Sequence, residues 1–407
     1  MKKFFYVFMA ASLLSLAAQA QSRLRIWTGS DDKVVNIADA GDMTVSGSKI
    51  TIKGKAYDMA SIDSIVVVPR IMVSYNDNSV KVDIPASVAA DVTAAVDGAH
   101  VVLTNKNVSN ECEIALSGKS SNGSLTYNGS YKCTFILDGL DLTSQKGSAI
   151  DIQCGKRVAL ELAAGTINTL VDAANGKQKA SLYCKGHLEV EGSGTLNVSG
   201  QSKHAISTKE YLQFKKSTGT INILKAAGDA IHAGQYFQMN GGTVTIDANT
   251  LGDGIQAEAI LLADETIDPN EENNGQVIIK GGTINAVITS QDCKAIKADQ
   301  DIAISGGTMT LEANGNGSRG IQTEGNMTIS EKDAATNIQI TAAGGLCTLD
   351  ECADDPHRCM GIKVDGNLTI SAGKVTVLNT GKKSRGIKVG GTYSCADGAE
   401  VSAVITQ

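Results

Sequence analysis

The chain has 407 residues, with 43 acidic and 36 basic side chains and a formal net charge of −7 at pH 7. This excess of acid argues against nucleic acid or an anionic membrane surface as a partner, and it favours cations or anions that are bridged by cations. Aromatic residues make up only 4% of the chain and there are four prolines, which is typical of an aliphatic core on uninterrupted strand ladders.

The first 20 residues, 1–20, have the pattern of a secretory signal peptide. Lys2 and Lys3 precede an apolar stretch from Phe4 to Ala18, and Ala18-Gln-Ala20 matches a small-residue cleavage site. Cleavage would take the net charge to −9 and leave a chain that is exported to the periplasm, the cell surface or the medium. No later stretch is long and apolar enough to span a bilayer, so membrane insertion is not expected.

Two segments precede the regular part of the chain. Residues 21–70 contain short alternating stretches and an apolar run over 62–68, and they predict a small N-terminal β module or leader. Residues 71–130 combine strand-forming and turn residues, and we expect them to cap a solenoid and supply its first coils. The sequence predicts that residues 131–407 form the regular solenoid.

A three-residue phrase that ends in Ile or Leu recurs nine times. Most copies are 24 or 25 residues apart, and steps of 32, 41 and 41 indicate inserted loops. A second phrase, Gly-Thr followed by alternating apolar residues, recurs in step with it. Such a period is a solenoid signature. The nine aliphatic residues are Ile150, Leu182, Ile206, Ile231, Ile255, Ile296, Ile321, Ile362 and Ile387.

One repeat, residues 235–258, contains three short alternating stretches. Phe237 and Met239 alternate with polar residues, and Val244 and Ile246 follow a Gly-Gly turn, while Ile255 begins the third stretch. The pattern predicts an all-β fold, namely a three-sided right-handed parallel β-helix behind the small N-terminal module. Residues at equal positions of successive coils then stack about 4.8 Å apart, so a binding site must be sought in columns of side chains.

The third position after the repeated Ile forms an acidic column, Glu258, Asp299, Glu324 and Asp365. Two carboxylates about 5 Å apart repel by about 1 kcal/mol at the dielectric of water and by about 4 kcal/mol at an effective dielectric of 20. Something must therefore offset this repulsion, and the sequence leaves two alternatives open.

The first alternative is neutralisation by lysines, because Lys297, Lys363 and Lys388 occupy the outward position next to the Ile. The second is bound Ca²⁺, which takes six to eight oxygen ligands. Asp229, Asp253 and Asp292 favour calcium, since they add carboxylates at the other end of the same strands. The candidate Ca²⁺ ligands are Asp229, Asp253, Glu258, Asp292, Asp299, Glu324 and Asp365.

Other polar residues give weaker signals. Asn168, Asn197, Asn222, Thr245, Asn285 and Thr310 follow the Gly-Thr phrase and predict a hydrogen-bonded ladder between strands. The five histidines look scattered and predict no zinc set, although His204 and His232 lie near one another in repeat coordinates. Cys347, Cys352 and Cys359 crowd one insertion, where a disulfide is expected, with zinc at His357 as the rival.

The recurring phrases Gly241-Gly-Thr243, Gly252-Asp-Gly-Ile255 and Gly306-Gly-Thr308 resemble the carbohydrate-binding β-helix family whose studied relatives bind polygalacturonate with calcium. The resemblance covers roughly residues 100–407. It implies a non-catalytic binder of acidic polysaccharide in which Ca²⁺ bridges protein and uronate carboxylates. Its acid positions carry over to Asp229, Asp253, Glu258, Asp299 and Glu324. Later repeats have Lys-Ala-Ile, Arg-Gly-Ile or Met-Gly-Ile instead, so it supports calcium best near Ile231 and Ile255.

The N-terminal module resembles, more weakly, the leaders of exported Bacteroidetes proteins. Two other functions stay open for the repeats. One is a pectate-lyase-like β-eliminase, with Lys297 beside Asp299 or Lys363 beside Asp365 as base and calcium-side acid. The other is a calcium-free surface adhesin. Binding of neutral glycans is disfavoured, because the only Trp, Trp27, lies outside the repeats.

Overall fold

The structure is a computed structural model that describes residues 22–28, 31–36, 44–52 and 54–406. The signal-peptide prediction for residues 1–20 lies outside these described residues. Within them there are two short 3-10 helices, Met59–Ser61 and Asp350–Cys352, and no α-helix. No helix of the described part is long and apolar enough to cross a membrane. All other regular structure is β.

Seven strands form the N-terminal part of the chain. β1 pairs antiparallel with β2 and with β6, β6 pairs antiparallel with β7, and β3, β4 and β5 make a separate antiparallel sheet. Leu24 and Ile26 of the first strand belong to one buried cluster with Ile50 and Ile52. The strands are β1 (Ser22–Thr28), β2 (Asp31–Asn36), β3 (Thr44–Ser46), β4 (Lys49–Ile52), β5 (Lys55–Asp58), β6 (Ser64–Asn76) and β7 (Ser79–Asp83).

The 13-residue strand β6 joins this part to the solenoid. Its first half pairs with β1, and from Arg70 onward it pairs in parallel with the next long strand of the chain, so the predicted boundary at residue 70 falls inside one strand. Arg23 of β1 reaches Glu161 at 2.7 Å, and Arg70 reaches the fully buried Glu113 at 3.0 Å. Buried charge needs such partners, and these contacts tie the N-terminal strands to the first coils.

Five strands open the solenoid: β8 (Val92–Asp97), β9 (Ala99–Asn105), β10 (Cys112–Ser120), β11 (Gly123–Gly129) and β12 (Cys133–Thr143). β8 lies antiparallel to β9. The long strands β6, β10 and β12 stack in parallel, and β12 then divides between two successors. These strands lie at the start of the stack, with β8 at the end of its 13-stranded sheet.

From here the strands come in sets of three, one for each side of a coil. They are β13 (Ile150–Gln153), β14 (Val158–Leu162), β15 (Ile167–Val171), β16 (Ala180–Cys184), β17 (Leu188–Glu191), β18 (Thr195–Gly200), β19 (His204–Thr208), β20 (Leu212–Phe214), β21 (Thr220–Ala226), β22 (Ile231–Ala233), β23 (Phe237–Met239), β24 (Thr243–Ile246), β25 (Ile255–Ala257), β26 (Val277–Ile279), β27 (Thr283–Ile288), β28 (Lys294–Ala298), β29 (Ile302–Ile304), β30 (Gly307–Ala313), β31 (Arg319–Thr323), β32 (Met327–Ile329), β33 (Thr336–Ala342), β34 (Met360–Val364), β35 (Leu368–Ile370), β36 (Gly373–Asn379), β37 (Arg385–Val389), β38 (Tyr393–Cys395), β39 (Ala399–Ser402) and β40 (Ile405–Thr406).

Each strand pairs in parallel with the strand three further along, so the coils stack into a β-solenoid with three faces. Face A holds β9, β11 and β13 and then every third strand to β40; face B runs from β14 to β38 and face C from β15 to β39. All nine predicted aliphatic residues lie in one register on face A and are buried. The solenoid prediction is confirmed, and one continuous aliphatic cluster fills its interior.

The residue just before each repeated Ile is small because it sits at the corner between faces C and A, where space is short. A Cβ on Gly320 would lie 2.5 Å from Ile340 Cγ2, and a Cβ on Gly361 would lie 2.2 Å from Val377 Cγ1. Ile340 and Val377 are buried residues of face C. The repeated phrase therefore records a steric limit at this corner as well as a core position.

Replacing Gly361 with Ala should destabilise the fold by about 1–3 kcal/mol, because the new methyl group would overlap a β-branched side chain that has little freedom to move. Urea unfolding followed by circular dichroism measures this. Gly155→Ala is the matched control, since a Cβ at that position would have no described neighbour within 4 Å. Equal unfolding midpoints for the two variants would contradict the steric explanation.

Candidate functional site

The outer surface of face A carries three columns of polar side chains. The central column consists of the outward residues of the strands, His232, Gln256, Lys297, Gln322, Lys363 and Lys388. The A–B column lies at the corner with face B and contains Glu258, Asp299, Glu324 and Asp365. The C–A column lies at the corner with face C and contains His204, Asp229, Asp253, Lys294, Arg319, Met360 and Arg385.

The A–B column brings together the four carboxylates that the sequence places in a ladder. Their coils are held in step by backbone hydrogen bonds from Glu258 N to Ala233 O, from Asp299 N to Ala257 O, and onward in the same pattern to Asp365. Glu324 and Asp365 are exposed. The acids are thus stacked on a rigid corner that faces solvent.

Lysine neutralises this column only in part. Lys363 donates to Asp365 at 2.9 Å, whereas Lys297 lies 3.9 Å from Asp299, whose other oxygen accepts from Ala259 N. The carboxylate of Glu324 makes no ion pair or hydrogen bond within the described residues, and its neighbour in the central column is the uncharged Gln322. The neutralised-face alternative therefore applies at Asp365 and fails at Glu324.

The C–A column uses its side chains to hold the backbone of the next coil. His204 Nδ1 accepts from Asp229 N at 3.0 Å, Asp229 Oδ1 from Asp253 N at 2.9 Å, and Asp253 Oδ1 from Lys294 N at 2.7 Å. Each side chain therefore satisfies an amide at a corner where the sheet ladder is interrupted. Burial raises the pKa of Asp253, and the hydrogen bond from Lys294 N acts against this by stabilising the ionised carboxylate.

His232 connects the two corners across face A. Its Nδ1 lies 3.0 Å from Asp229 Oδ2 and its Nε2 lies 3.1 Å from Glu258 Oε2. Burial alone would lower the pKa of His232, but the hydrogen bonds to these two carboxylates outweigh it and raise the pKa to about 9. Burial would also raise the pKa of Asp229, yet the contacts with His204 and His232 hold it well below its usual range.

Asp292 lies apart from both groups. Its Oδ1 is 2.9 Å from His357 Nδ1 and 3.3 Å from Arg319 Nη1, within the turn that precedes Lys294. Cys352 is close to it, but the sulfur of Cys352 is bonded to Cys347 and offers no thiolate. The expected bridge within this insertion is confirmed, while Cys359 stays free and buried.

These environments differ in how well they suit calcium. Ca²⁺ prefers an all-oxygen shell, but Asp229 and Asp253 each use one oxygen on a backbone amide, and imidazole nitrogens face the other oxygen of Asp229. Glu324 and Asp365 are exposed and hold no backbone amide, and the half-buried Asp299 uses one oxygen on the Ala259 amide and keeps the other. The fit to Ca²⁺ is therefore better at the later coils than near Ile231 and Ile255, where the sequence supported it most.

Aromatic rings on this side of the molecule cover one another. Tyr211 stacks between His187 and Tyr236, with ring centroids 4.3 and 4.7 Å apart. Tyr236 and Tyr183 are buried. A sugar ring stacks on a free aromatic face, and this stack offers little of one.

The strand register confirms the stacking of the predicted polar column from Asn197 to Thr310, in which the described residues show one side-chain hydrogen bond. Asn222 donates to Asn197 at 2.9 Å, but the strand register pairs Thr169, not Asn168, with Asn197. Asn168 points inward, where its oxygen accepts from Leu140 N and its nitrogen donates to Thr195 O. A buried amide that is bonded on both sides explains why it can face the core.

Comparison with known proteins decides the family. Residues 97–386 match the family model described as carbohydrate-binding domain-containing protein. The chain belongs to this carbohydrate-binding family. The matched region includes all of the face A columns between His204 and Arg385.

Two relatives extend this result. A carbohydrate-binding domain-containing protein of Acetivibrio thermocellus is 29% identical over 91 residues, which are 20% of this chain and 32% of the relative, so the chain matches about a third of that protein's length. A solved structure titled as the polysaccharide lyase-like protein from C. thermocellum, gadolinium derivative, has a TM-score of 0.52 at 21% identity and covers 65% of this chain and 98% of its own. This likeness shows the fold. Family membership supports a carbohydrate-binding function.

In this member of the carbohydrate-binding family, Asp253→Ala should lower stability by about 1–2 kcal/mol, because the Lys294 amide loses its acceptor as in the loss of a helix cap. Asp253→Asn retains an acceptor oxygen and should cost less. Urea unfolding in a buffer with EDTA measures both. An equal loss for Asn and Ala, which both remove the carboxylate charge, would show that charge, not amide capping, is the role of Asp253.

A second prediction concerns Glu189, a buried residue beside the aromatic stack. Burial would raise its pKa, but hydrogen bonds from Lys215 at 2.8 Å and from Tyr211 at 2.8 Å outweigh this and lower it below the usual 4.5. A lowered carboxyl pKa gives stability that is present above about pH 4.5 and is lost as the pH falls through the folded-state value.

Wild type should therefore be more stable than Glu189→Gln at pH 7, and the difference should shrink as the pH is lowered from 5 toward 2. Thermal unfolding of both proteins across this range tests it. A difference that does not change with pH would rule out the ion pair as its source.

Proposed function

We propose that the chain binds an acidic polysaccharide that contains uronic acid, such as polygalacturonate, along face A without cleaving it. In this proposal Ca²⁺ bridges sugar carboxylates and the A–B column. The observation that carries it is Glu324, an exposed carboxylate that has no partner among the described residues and stands between Asp299 and Asp365 of the adjacent coils. Like charges fixed this close repel, and a bound cation would relieve that repulsion.

The proposed ligands are Asp299, Glu324 and Asp365, with Glu258 at the edge of the set. These residues supply only part of a shell of six to eight oxygens, and the remainder would come from uronate carboxylates and water. When bound, the ion contributes positive charge that holds an anionic chain. Two protein charges assist directly, since Lys297 and Lys388 lie on the same face in the central column.

Lyase activity is less well supported by the geometry. A β-eliminase needs an amine that can take up a proton, whereas Lys363 and Lys297 each face a carboxylate. The calcium-free adhesin does not account for the lone carboxylate of Glu324. The exported location stays a prediction that suits a ligand found outside the cytoplasm.

The test uses the chain without residues 1–20 in affinity electrophoresis on gels that contain polygalacturonate, with Ca²⁺ or with EGTA. Wild type should be retarded only with Ca²⁺. Glu324→Gln should weaken this binding about tenfold or more, equivalent to about 1.4 kcal/mol, because the column loses the charge that lysine does not neutralise. Glu400→Gln is the matched control, since this substitution makes the same charge change on face C.

Absorbance near 235 nm from the same polymer in solution separates binding from cleavage. Retardation without a rise in absorbance supports the proposal, and a Ca²⁺-dependent rise would establish the lyase instead. If retardation persisted in EGTA, binding would not depend on Ca²⁺. If Glu324→Gln and Glu400→Gln were retarded equally, the A–B column would not be the binding site.

A further inference from the structure

Four cysteines of the first coils lie along the corner where face A ends and face B begins. They are Cys112, Cys133, Cys154 and Cys184, and all four are free and buried. Cys112 and Cys133 begin β10 and β12 and pair in register on these adjacent strands. Cys154 follows the end of β13, and Cys184 ends β16. Successive coils thus bring one thiol after another to the interior of the same corner.

The thiols of Cys133 and Cys154 are in direct contact. They share a hydrogen bond, and Cys154 Sγ donates to the carbonyl oxygen of Tyr131, two residues before Cys133, at 3.3 Å. Because the proton of Cys154 is directed at this carbonyl, Cys133 is the donor between the two sulfurs. The pair joins two coils, since β13 stacks on β11 and the following β14 stacks on β12.

Polar neighbours occupy the other side of this group of sulfurs. Asn105 Nδ2 lies 3.2 Å from Cys112 Sγ and 3.4 Å from Tyr127 Oη, and the Tyr127 hydroxyl also bonds the thiols of Cys112 and Cys133. Cys112 is therefore already engaged by an amide and a phenol. The clusters of possible metal ligands within the described residues include none of these sulfurs, so the chemistry open to the contacting pair is that of two thiols.

The two thiols of the pair differ in acidity. The hydrogen bond from Cys133 lowers the pKa of Cys154 to about 7 and outweighs burial, which acts in the opposite direction. The same hydrogen bond, together with burial, holds the pKa of Cys133 well above its usual range. The thiolate is the nucleophile in thiol–disulfide exchange, so Cys154 is suited to attack first and Cys133 to follow.

We propose that Cys133 and Cys154 form a disulfide bond that joins the first coils to the regular solenoid. The oxidant is a disulfide-bonded thiol compound, RS–SR. The thiolate of Cys154 attacks one sulfur of RS–SR, the S–S bond of the oxidant breaks, and the departing RS⁻ takes up a proton. Cys133 then attacks the sulfur of Cys154 in the mixed disulfide and releases the second RSH. Two electrons pass to the oxidant, and the two thiol protons end on two RSH molecules.

This bond forms while the coils fold, because neither sulfur is exposed to solvent once the corner is closed. It restricts the unfolded chain between residues 133 and 154, and it should therefore stabilise the folded state. Its place in the fold is the junction between the long strand β12, which belongs to the start of the stack, and the first regular set of three strands.

The test refolds the full chain in a mixture of oxidised and reduced glutathione, alkylates the remaining thiols and maps the peptides without reduction by mass spectrometry. Trypsin separates the candidates, because Lys132 lies between Cys112 and Cys133, and Lys146 lies between Cys133 and Cys154. The expected product is a linked pair of peptides that carry Cys133 and Cys154. It should be lighter by two hydrogen atoms than the two thiol peptides together.

Urea unfolding with and without a reductant gives a second readout. It uses the Cys347→Ala, Cys352→Ala background, which lacks the disulfide of the later insertion. The unfolding midpoint in this background should fall when reductant is added, because reduction releases the loop in the unfolded chain. Adding Cys154→Ala should make the midpoint the same with and without reductant. Adding Cys184→Ala is the matched control, since it removes another buried thiol of the corner, and there the midpoint should still fall.

Three results would overturn the proposal. The first is recovery of Cys133 and Cys154 as alkylated thiols after refolding. The second is a linked pair of peptides from Cys112 and Cys133, which would place the bond between the paired strands instead. The third is an equal effect of reductant on the Cys154→Ala and Cys184→Ala variants, which would trace the shift to another bond. None of these outcomes bears on the proposed binding of polysaccharide, because neither polymer nor Ca²⁺ is present.

Discussion

Hydrogen bonds between the backbones of successive coils determine where every side chain of face A lies. They pair Ile231 with Ile255 and Ile255 with Ile296, and they hold Glu258 and Asp299 at the same height of the corner. A slip of one residue would turn the aliphatic columns toward solvent, so core packing and backbone register enforce each other. The polar columns have no independent freedom, and their chemistry is decided by which residue each coil brings to a fixed place.

The two corners of face A deal with stacked charge in different ways. At the C–A corner, Asp229 and Asp253 accept amides of the following coil, and two histidines face the remaining oxygen of Asp229. At the A–B corner, Lys363 pairs with Asp365, while Glu324 is exposed and has no partner in the described part of the chain. The carboxylates at the C–A corner have their hydrogen-bond partners within the protein, whereas the A–B corner exposes negative charge to solvent. One strand thus separates a structural polar column from one that is open to a ligand.

The sequence predicts the columns well because a solenoid turns periodicity directly into proximity. The nine aliphatic residues and the four acids of the A–B column follow from counting along the repeat. Asn168 was misplaced because a shift of register between β15 and β18 relative to the Gly-Thr phrase is invisible in a single chain. The role of His232 was missed since it joins three different columns, yet a table of repeat positions would have placed it between Asp229 and Glu258. Which acids accept backbone amides depends on corner geometry that no spacing reveals.

The loops inserted after Ile255 and Ile321 leave the core unchanged. Ile255 pairs with Ile296 across a step of 41 residues as directly as Ile231 pairs with Ile255 across 24. Each coil therefore packs only against the strands of the adjacent coils. A segment of about 25 residues could be duplicated or lost without changes in the coils beside it. The length of such a binding face can therefore change in evolution by whole coils, in steps of about 4.8 Å.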